Sequence, residues 1–301
     1  MSVFLEIIIA LSCGIVLRNY ISNSDNMGMF LSRGIINIGF PCIILLMPPI
    51  HDLTYQIFLF ILVPWLWIFI TFQCLKKLGK YFQWQYEVVF VITVLCSTGN
   101  TGYFGLPLTK QFFPVEFQFY AVLYDQLVTF FFVSLIIPLQ IMFFKQTNIN
   151  QSRVRFILKI FLFPPFIAFI YSVFISKYAP IPSILTPAIS FIAASIIPIG
   201  MFGIGLQLNL KFDKTHVAPL LVGVGWKMVI MPISIFIMYS FFQIPTNQRD
   251  IGVFQALMPP SISGYFFIYS AGIAPKFATS LVIICIFVMM ISVPIYILSI
   301  L

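Results

Sequence analysis

Long apolar segments separated by short polar connections run along the whole chain. Ten of them approach or exceed the roughly 20 residues that a bilayer-spanning helix needs. They lie at about residues 3–21, 29–47, 55–73, 86–113, 117–144, 156–175, 182–208, 217–242, 250–272 and 275–300. Since a lipid-exposed backbone must satisfy its own hydrogen bonds, the pattern predicts an all-α polytopic membrane protein with ten transmembrane helices.

Helix-breaking residues interrupt the fourth segment near its middle. Gly99, Gly105 and Pro107 weaken the helical hydrogen-bond ladder there, and Asn100 and Thr101 could satisfy the freed backbone groups. Irregular backbone at membrane depth lies against protein or a watery cavity, because lipid offers no partners. The stretch predicts an interrupted helix that lines a cavity. A kinked but continuous helix is the alternative.

A second stretch of this kind lies in the ninth segment, where Pro259 and Pro260 precede Ser261 and Ser263. At an offset of 162 positions, residues 102–104 match residues 264–266, both with the sequence GYF. Paired interruptions at corresponding places in two halves are typical of the substrate site of secondary transporters. We therefore predict two broken helices that cross near the middle of the membrane.

Two further matches suggest that the chain consists of two related halves. Trp65 matches Trp226 at an offset of 161, and Pro41 matches Pro198 at an offset of 157. The predicted organisation is a first five-helix repeat at residues 1–146, a cytoplasmic linker at 147–155 and a second five-helix repeat at 156–301. An odd number of spans in each half makes the two repeats inverted in topology.

Composition agrees with a membrane protein, since 61% of the residues are hydrophobic, only 8% are charged and the mean hydropathy is +1.06. Soluble domains are about a quarter charged. Of the 16 Lys and Arg residues, twelve lie in or beside odd-numbered connections, three lie in or beside even-numbered connections, and Lys227 lies near the middle of a span. The positive-inside rule then places the odd-numbered connections in the cytoplasm and both termini outside. We expect the Lys76-Lys77 run to form a solvated loop rather than a specific lipid site.

Two ionisable residues inside the spans carry the candidate chemistry. Lys227 lies near mid-membrane in the eighth segment, with no carboxylate one turn away. It could meet a ligand or another span, or it could snorkel or bind helix-end carbonyls. Asp125 in the fifth segment could exchange a proton, anchor Lys227 or reach the outer interface. The scattered cysteines and histidines predict no metal site, no cofactor and no enzyme.

The interrupted stretch at residues 100–108, NTGYFGLPL, resembles the fourth-helix motif of the auxin efflux carrier family. That family includes plant PIN-type auxin exporters and bacterial carriers of small carboxylates. The likeness extends to IIPIGMFGIGLQL at 196–208, to Lys227 followed by Pro232, and to ALMP at 256–259 with Phe277, Thr279 and Pro294. The resemblance implies a ten-helix inverted-repeat fold, shared with bile acid and sodium/proton carriers, whose fourth and ninth helices cross near the substrate.

We expect a secondary active or facilitative transporter of a small organic anion, a carboxylate that is auxin-like or a dicarboxylate, working by alternating access. The predicted substrate-binding residues are Asn100, Thr101, Gly102, Tyr103, Ser261, Ser263, Tyr265 and Lys227. The predicted helix-break residues are Gly99, Gly105, Pro107, Pro259 and Pro260, and Asp125 is the candidate proton or charge relay. The chain departs from repeat symmetry at Ile262, which occupies the position that corresponds to Asn100 in the first repeat. The spans contain no acidic cluster that could bind sodium, which argues against sodium coupling.

Two alternatives stay open, a ligand-binding membrane receptor without transport and a sodium-coupled carrier of the same fold. The expected partners are the anion and the lipid bilayer, and we expect no nucleic acid. A homodimer is one possible assembly. The expected location is a bacterial inner (plasma) membrane. The apolar N-terminus has no basic region before it, so we expect the first span to be retained.

Overall fold

The computed structural model of the chain describes residues 2–46, 54–145, 162, 164–207 and 215–300. These residues form helices, turns and short irregular stretches, and no β-strand occurs among them. The all-α prediction is therefore confirmed for this part of the chain. The predicted linker at residues 147–155 lies outside the described residues, as do parts of the segments on either side of it.

The α-helices follow one another with short connections. In chain order they are α1 (Ser2–Leu17), α2 (Ser24–Gly34), α3 (Phe40–Leu45), α4 (Tyr55–Tyr81), α5 (Tyr86–Leu95), α6 (Leu106–Phe112), α7 (Val115–Tyr124), α8 (Ile137–Phe144), α9 (Pro164–Ile170), α10 (Thr186–Gln207), α11 (Val217–Gly225), α12 (Met231–Phe241), α13 (Thr246–Ala256), α14 (Ile262–Ser270) and α15 (Pro275–Ile300). Lys76 and Lys77 belong to α4, so the expectation that they form a loop is wrong. The helix continues past them to Tyr81.

Five helical runs in the described ranges are long and apolar enough to cross a membrane. They are Tyr55–Tyr81, Val115–Phe144, Thr186–Leu206, Val217–Phe241 and Pro275–Ile300. Large apolar side chains point outward from these helices, and Phe191 and Leu298 are each 76% exposed. Apolar surface of this kind suits contact with lipid rather than water.

Several helical runs contain a wide π-helical turn, and most of these turns end two residues before a proline. The turns Ile35–Gly39, Thr101–Gly105, Phe132–Ile136 and Trp226–Ile230 precede Pro41, Pro107, Pro138 and Pro232 in this way. Proline has no N–H and clashes with the carbonyl four residues earlier, so the helix widens before it. The turns Asp125–Phe130 and Tyr171–Ile175 have no proline at that position.

One helix-ending motif recurs at two points 160 positions apart, with glutamine as its left-handed residue, and it occurs once more at Gly272 after α14. After α4, Trp84 N–H donates to the Gly79 carbonyl and Gln83 N–H to the Lys80 carbonyl, while Gln83 has a φ of 53°. After α12, the same two bonds join Ile244 to Tyr239 and Gln243 to Ser240, and Gln243 again has a φ of 53°. This is the Schellman motif, which usually ends in glycine. The spacing agrees with the offsets of the sequence matches.

By its internal contacts the chain divides into two compact units, each drawn from both predicted halves. The first comprises Met1–Asp52, Gly102–Val122 and Asn148–Asn209. Within it, α1 and α10 pack closely, and a Cβ added at Gly14 would lie 2.8 Å from Gly205 Cα. Small residues allow this close approach of helices in membranes.

The second unit comprises Leu53–Thr101, Leu123–Thr147 and Leu210–Leu301. In its core, Pro64 removes the helical hydrogen bond that the Phe60 carbonyl would otherwise accept. The Tyr239 hydroxyl donates to that carbonyl instead, at 2.8 Å. The rings of Phe60 and Tyr239 stack with centroids 5.3 Å apart, so α4 and α12 are joined by both packing and a hydrogen bond.

Candidate functional site

The fourth and ninth predicted segments each contain two helices separated by a short non-helical stretch. Helix α5 ends at Leu95, and helical structure resumes at Thr101. Helix α13 ends at Ala256, and α14 begins at Ile262. Gly99 lies in the first of these stretches, and Pro259 and Pro260 lie in the second. The helices end there because glycine and proline weaken the helical hydrogen-bond ladder.

The two non-helical stretches lie against each other within the second unit. Asn100 N–H donates to the Pro259 carbonyl at 2.6 Å. A Cβ added at Gly99 would lie 2.8 Å from the Gln255 carbonyl oxygen and 3.1 Å from Met258 Cβ. Glycine is the residue that allows backbones to approach this closely.

Asp125 lies beside the start of the resumed helix. It is 5% exposed, and its Oδ1 accepts a hydrogen bond of 2.5 Å from the Thr101 hydroxyl. Its Oδ2 accepts from Gln126 Nε2 at 2.7 Å. Asp125 also begins a π-helical turn that no proline follows at the usual distance, and such turns are frequent at functional sites. The partial positive charge at a helix start favours a carboxylate in this position.

Lys227 lies at a helix end of the opposite polarity. Its side chain is fully buried, and Nζ donates to the carbonyl of Ala256, the last residue of α13, at 2.7 Å. The partial negative charge at a helix C-terminus favours an ammonium group there. Of the sequence alternatives for Lys227, the structure therefore shows binding to a helix-end carbonyl.

The suggested ion pair between Asp125 and Lys227 is absent, since neither forms a salt bridge with any described residue. Asp125 takes its hydrogen bonds from Thr101 and Gln126, whereas Lys227 binds backbone. Each charge is met by the nearest helix end or polar side chain. A direct bond between them is therefore not needed to compensate either group.

The predicted residues after the second interruption have separate roles in the structure. Ser261 caps α14, and its Oγ accepts a hydrogen bond of 3.3 Å from Gly264 N–H. Ser263 is half-buried in the first turn of α14. The Tyr265 hydroxyl lies 3.0 Å from Thr279 Oγ1 on α15, so it contacts the last helix rather than the interruption.

The predicted residues after the first interruption belong to the first unit. Tyr103 is 3% exposed, and its ring meets Phe40 edge-on with centroids 5.1 Å apart. Gly102 and Gly105 lie in the π-helical turn, and Pro107 lies in the first turn of α6. Gly105 and Pro107 thus lie beyond the non-helical stretch, where the helix widens before Pro107.

Sequence reasoning missed Gln126 as a member of the site. Besides donating to Asp125, it has a buried Oε1 with no hydrogen-bond partner among the described residues. An amide this well buried, with an exposed fraction of 1%, is costly unless it is satisfied by a ligand or water. The sequence signal that could have identified Gln126 was its position next to Asp125 in an apolar span.

Known proteins similar to this chain are transporters. Residues 7–297 match the family described as membrane transport protein. An "Uncharacterized transporter" of Methanothermobacter thermautotrophicus is 27% identical over 142 residues, which are 47% of this chain and 45% of that protein. The chain thus matches about half the length of this curated relative.

Proposed function

Because the chain belongs to the membrane transport protein family, that of the auxin efflux carriers, we propose that it carries a small organic anion across the membrane. The substrate is a carboxylate, either auxin-like or a dicarboxylate. The protein is a secondary active or facilitative transporter that works by alternating access. Family membership supports membrane transport in general, and the substrate class rests on the chemistry of the candidate site.

The observation that carries this proposal is the contact between the two interrupted helices at Asn100 and Pro259. Where helix resumes after each interruption, backbone N–H groups and a partial positive charge lie at the helix start. Such helix starts bind carboxylates and phosphates. In broken-helix transporters they point at anionic substrate groups near the membrane midplane.

Asn100 donates its side-chain amide to the bound carboxylate, and Thr101 contributes its backbone N–H group in this proposal. From the second interruption, Ser261 and Ser263 contribute hydroxyl groups. Tyr265 acts indirectly, since its hydroxyl is already bonded to Thr279. These assignments extend the sequence predictions and are supported by the burial of Asn100, which is 3% exposed.

Lys227 supplies the full positive charge of the site. In the structure, its ammonium group binds the Ala256 carbonyl at the edge of the second interruption. An ammonium has three donors, so it can keep this bond and still meet an anion. Asp125 is the candidate proton or charge relay, because a carboxylate beside Thr101 responds to any change in the helix start.

The fold proposed for this carrier has ten spans in two inverted repeats, with the fourth and ninth helices broken and crossing. The repeated Schellman motif, at the spacing of 160 positions, supports the repeat. The asymmetric distribution of Lys and Arg supports cytoplasmic odd-numbered connections and outside termini. In this proposal the protein lies in a bacterial inner membrane and forms a homodimer.

Uptake of a radiolabelled carboxylate into proteoliposomes tests this function. A thermal-shift screen of the purified chain against small carboxylates selects the ligand, and uptake is then measured with sodium and with choline in its place. Uptake in both salts supports the proposal. Ligand binding without any uptake identifies a receptor instead, and uptake that requires sodium identifies a sodium-coupled carrier.

A further inference from the structure

A cavity lies inside the second unit, between α4, α5 and α8. It has a volume of about 720 Å³, within the usual range for small-molecule sites. Its walls are the end of α4, the connection to α5, one side of α5 from Tyr86 to Val94 and the end of α8. None of its lining residues belongs to the candidate substrate site described above.

Two lysines at the mouth of this cavity give it a positive charge. Lys76 and Lys80 are four positions apart on α4, so their side chains share one face of the helix. Neither forms a salt bridge with any described carboxylate, and no Asp or Glu lines the cavity. Lys76 Nζ lies 5.4 Å from the centroid of the Phe72 ring, which leaves its hydrogen-bond donors available to a ligand.

The far end of the cavity holds a hydroxyl group. Thr93 lines it, is 1% exposed, and its Oγ1 has no hydrogen-bond partner among the described residues. Seven residues of α5 separate Thr93 from Tyr86, which is about 10 Å along a helix. A buried hydroxyl without a partner is costly, so an occupant with an acceptor at this depth would satisfy it.

Aromatic side chains cover the wall between the two ends. Phe144 stacks on Tyr86 with centroids 5.0 Å apart and lies 4.6 Å from the Phe90 centroid. Tyr86 and Phe143 are also 73% and 68% exposed at the cavity edge. Exposed aromatic residues beside lysines at a helix end are typical of the membrane interface.

We propose that this cavity binds one anionic phospholipid. The phosphate lies at Lys76 and Lys80, the ester region reaches toward Thr93, and an acyl chain leaves past the exposed face of Phe143. This occupant matches the lysines at the mouth, the aromatic wall and the buried hydroxyl of the cavity. Lys77 does not line the cavity and keeps the solvated role that the sequence predicts.

Fluorescence quenching of Trp84, which lines the cavity, tests the proposal. The full chain is reconstituted in phosphatidylcholine vesicles with increasing fractions of brominated phosphatidylglycerol. A Trp84→Phe variant supplies the signal of the other tryptophans. We expect Trp84 to be quenched at a lower fraction of brominated phosphatidylglycerol than of brominated phosphatidylcholine.

The double variant Lys76→Gln/Lys80→Gln should abolish the preference for brominated phosphatidylglycerol over brominated phosphatidylcholine, because a charged hydrogen bond to the phosphate, worth roughly tenfold or more in affinity, is lost at each lysine. The matched control is Lys77→Gln/Lys276→Gln, which removes the same charge from two exposed lysines outside the cavity. It should leave that preference unchanged. Circular dichroism confirms that both variants are folded.

Two results would overturn the proposal. An equal loss of quenching in the control variant would show that general surface charge, and not the cavity, attracts the lipid. Relief of quenching by soluble glycerol phosphate would show that the cavity takes a free phosphate compound. Neither readout depends on transport, so the lipid site and the proposed function stand or fall separately.

Discussion

Replacement of Lys227 is the sharpest test of anion transport, because this residue is the only lysine buried within the described spans. We expect Lys227→Met to abolish uptake and Lys227→Arg to retain part of it. Methionine keeps the apolar stem, so the packing around the side chain is largely preserved. Arginine keeps the charge but changes its shape.

The expected effect on stability is small because two contributions oppose each other. The variant loses a charged hydrogen bond to the Ala256 carbonyl, worth about 1.5 to 3 kcal/mol. It also removes a charge whose burial in a membrane helix costs about 2.5 to 3.5 kcal/mol on insertion scales. The melting temperature should therefore change by only a few degrees.

The expected effect on transport is much larger. If Lys227 meets the substrate carboxylate, the variant loses a charged interaction worth about 1.5 to 3 kcal/mol, or roughly one to two orders of magnitude in affinity. Initial uptake rates in proteoliposomes, measured over a range of substrate concentrations, separate binding from turnover. Lys77→Met is the matched control, because Lys77 is exposed near the end of α4.

Wild-type uptake by the Lys227→Met variant would refute this reasoning. Lys227 would then serve only to bind a helix-end carbonyl, and the helix starts alone would account for any preference for anions.

Three further variants probe the two interruptions. Asn100→Ala should raise the dissociation constant for the carboxylate by roughly one to two orders of magnitude in a calorimetric titration, and an unchanged affinity would remove the residue from the site. A double Pro259→Ala/Pro260→Ala change should leave the protein folded but inactive in uptake, whereas full transport would mean that the prolines only bend a continuous helix. Gly99→Ala should lower the free energy of unfolding by about 1 to 3 kcal/mol, because its Cβ would crowd the opposing carbonyl. Gly225→Ala, with nothing within 4 Å of the added Cβ, is its control and should be neutral or stabilising in the same denaturation experiment.

Local chemistry allowed much of the fold to be predicted. Apolar run length identified helices such as Val217–Phe241 within one residue of the expected bounds, because a membrane helix satisfies its hydrogen bonds internally. Glycine and proline located the interruptions at residues 99 and 259–260, because both act on the backbone of their own turn. These effects need no knowledge of the neighbouring helices.

The contacts between distant segments could not be predicted in this way. The sequence allowed Lys227 to meet Asp125, a ligand or a carbonyl, and only the packing of the helices brings it to Ala256. Lys76 likewise looked like part of a solvated charge run, and only the packing of α4, α5 and α8 places it at a cavity that is also lined by Thr93. Residue type limits which partners a side chain accepts, whereas the relative position of helices decides which partner lies within hydrogen-bond distance.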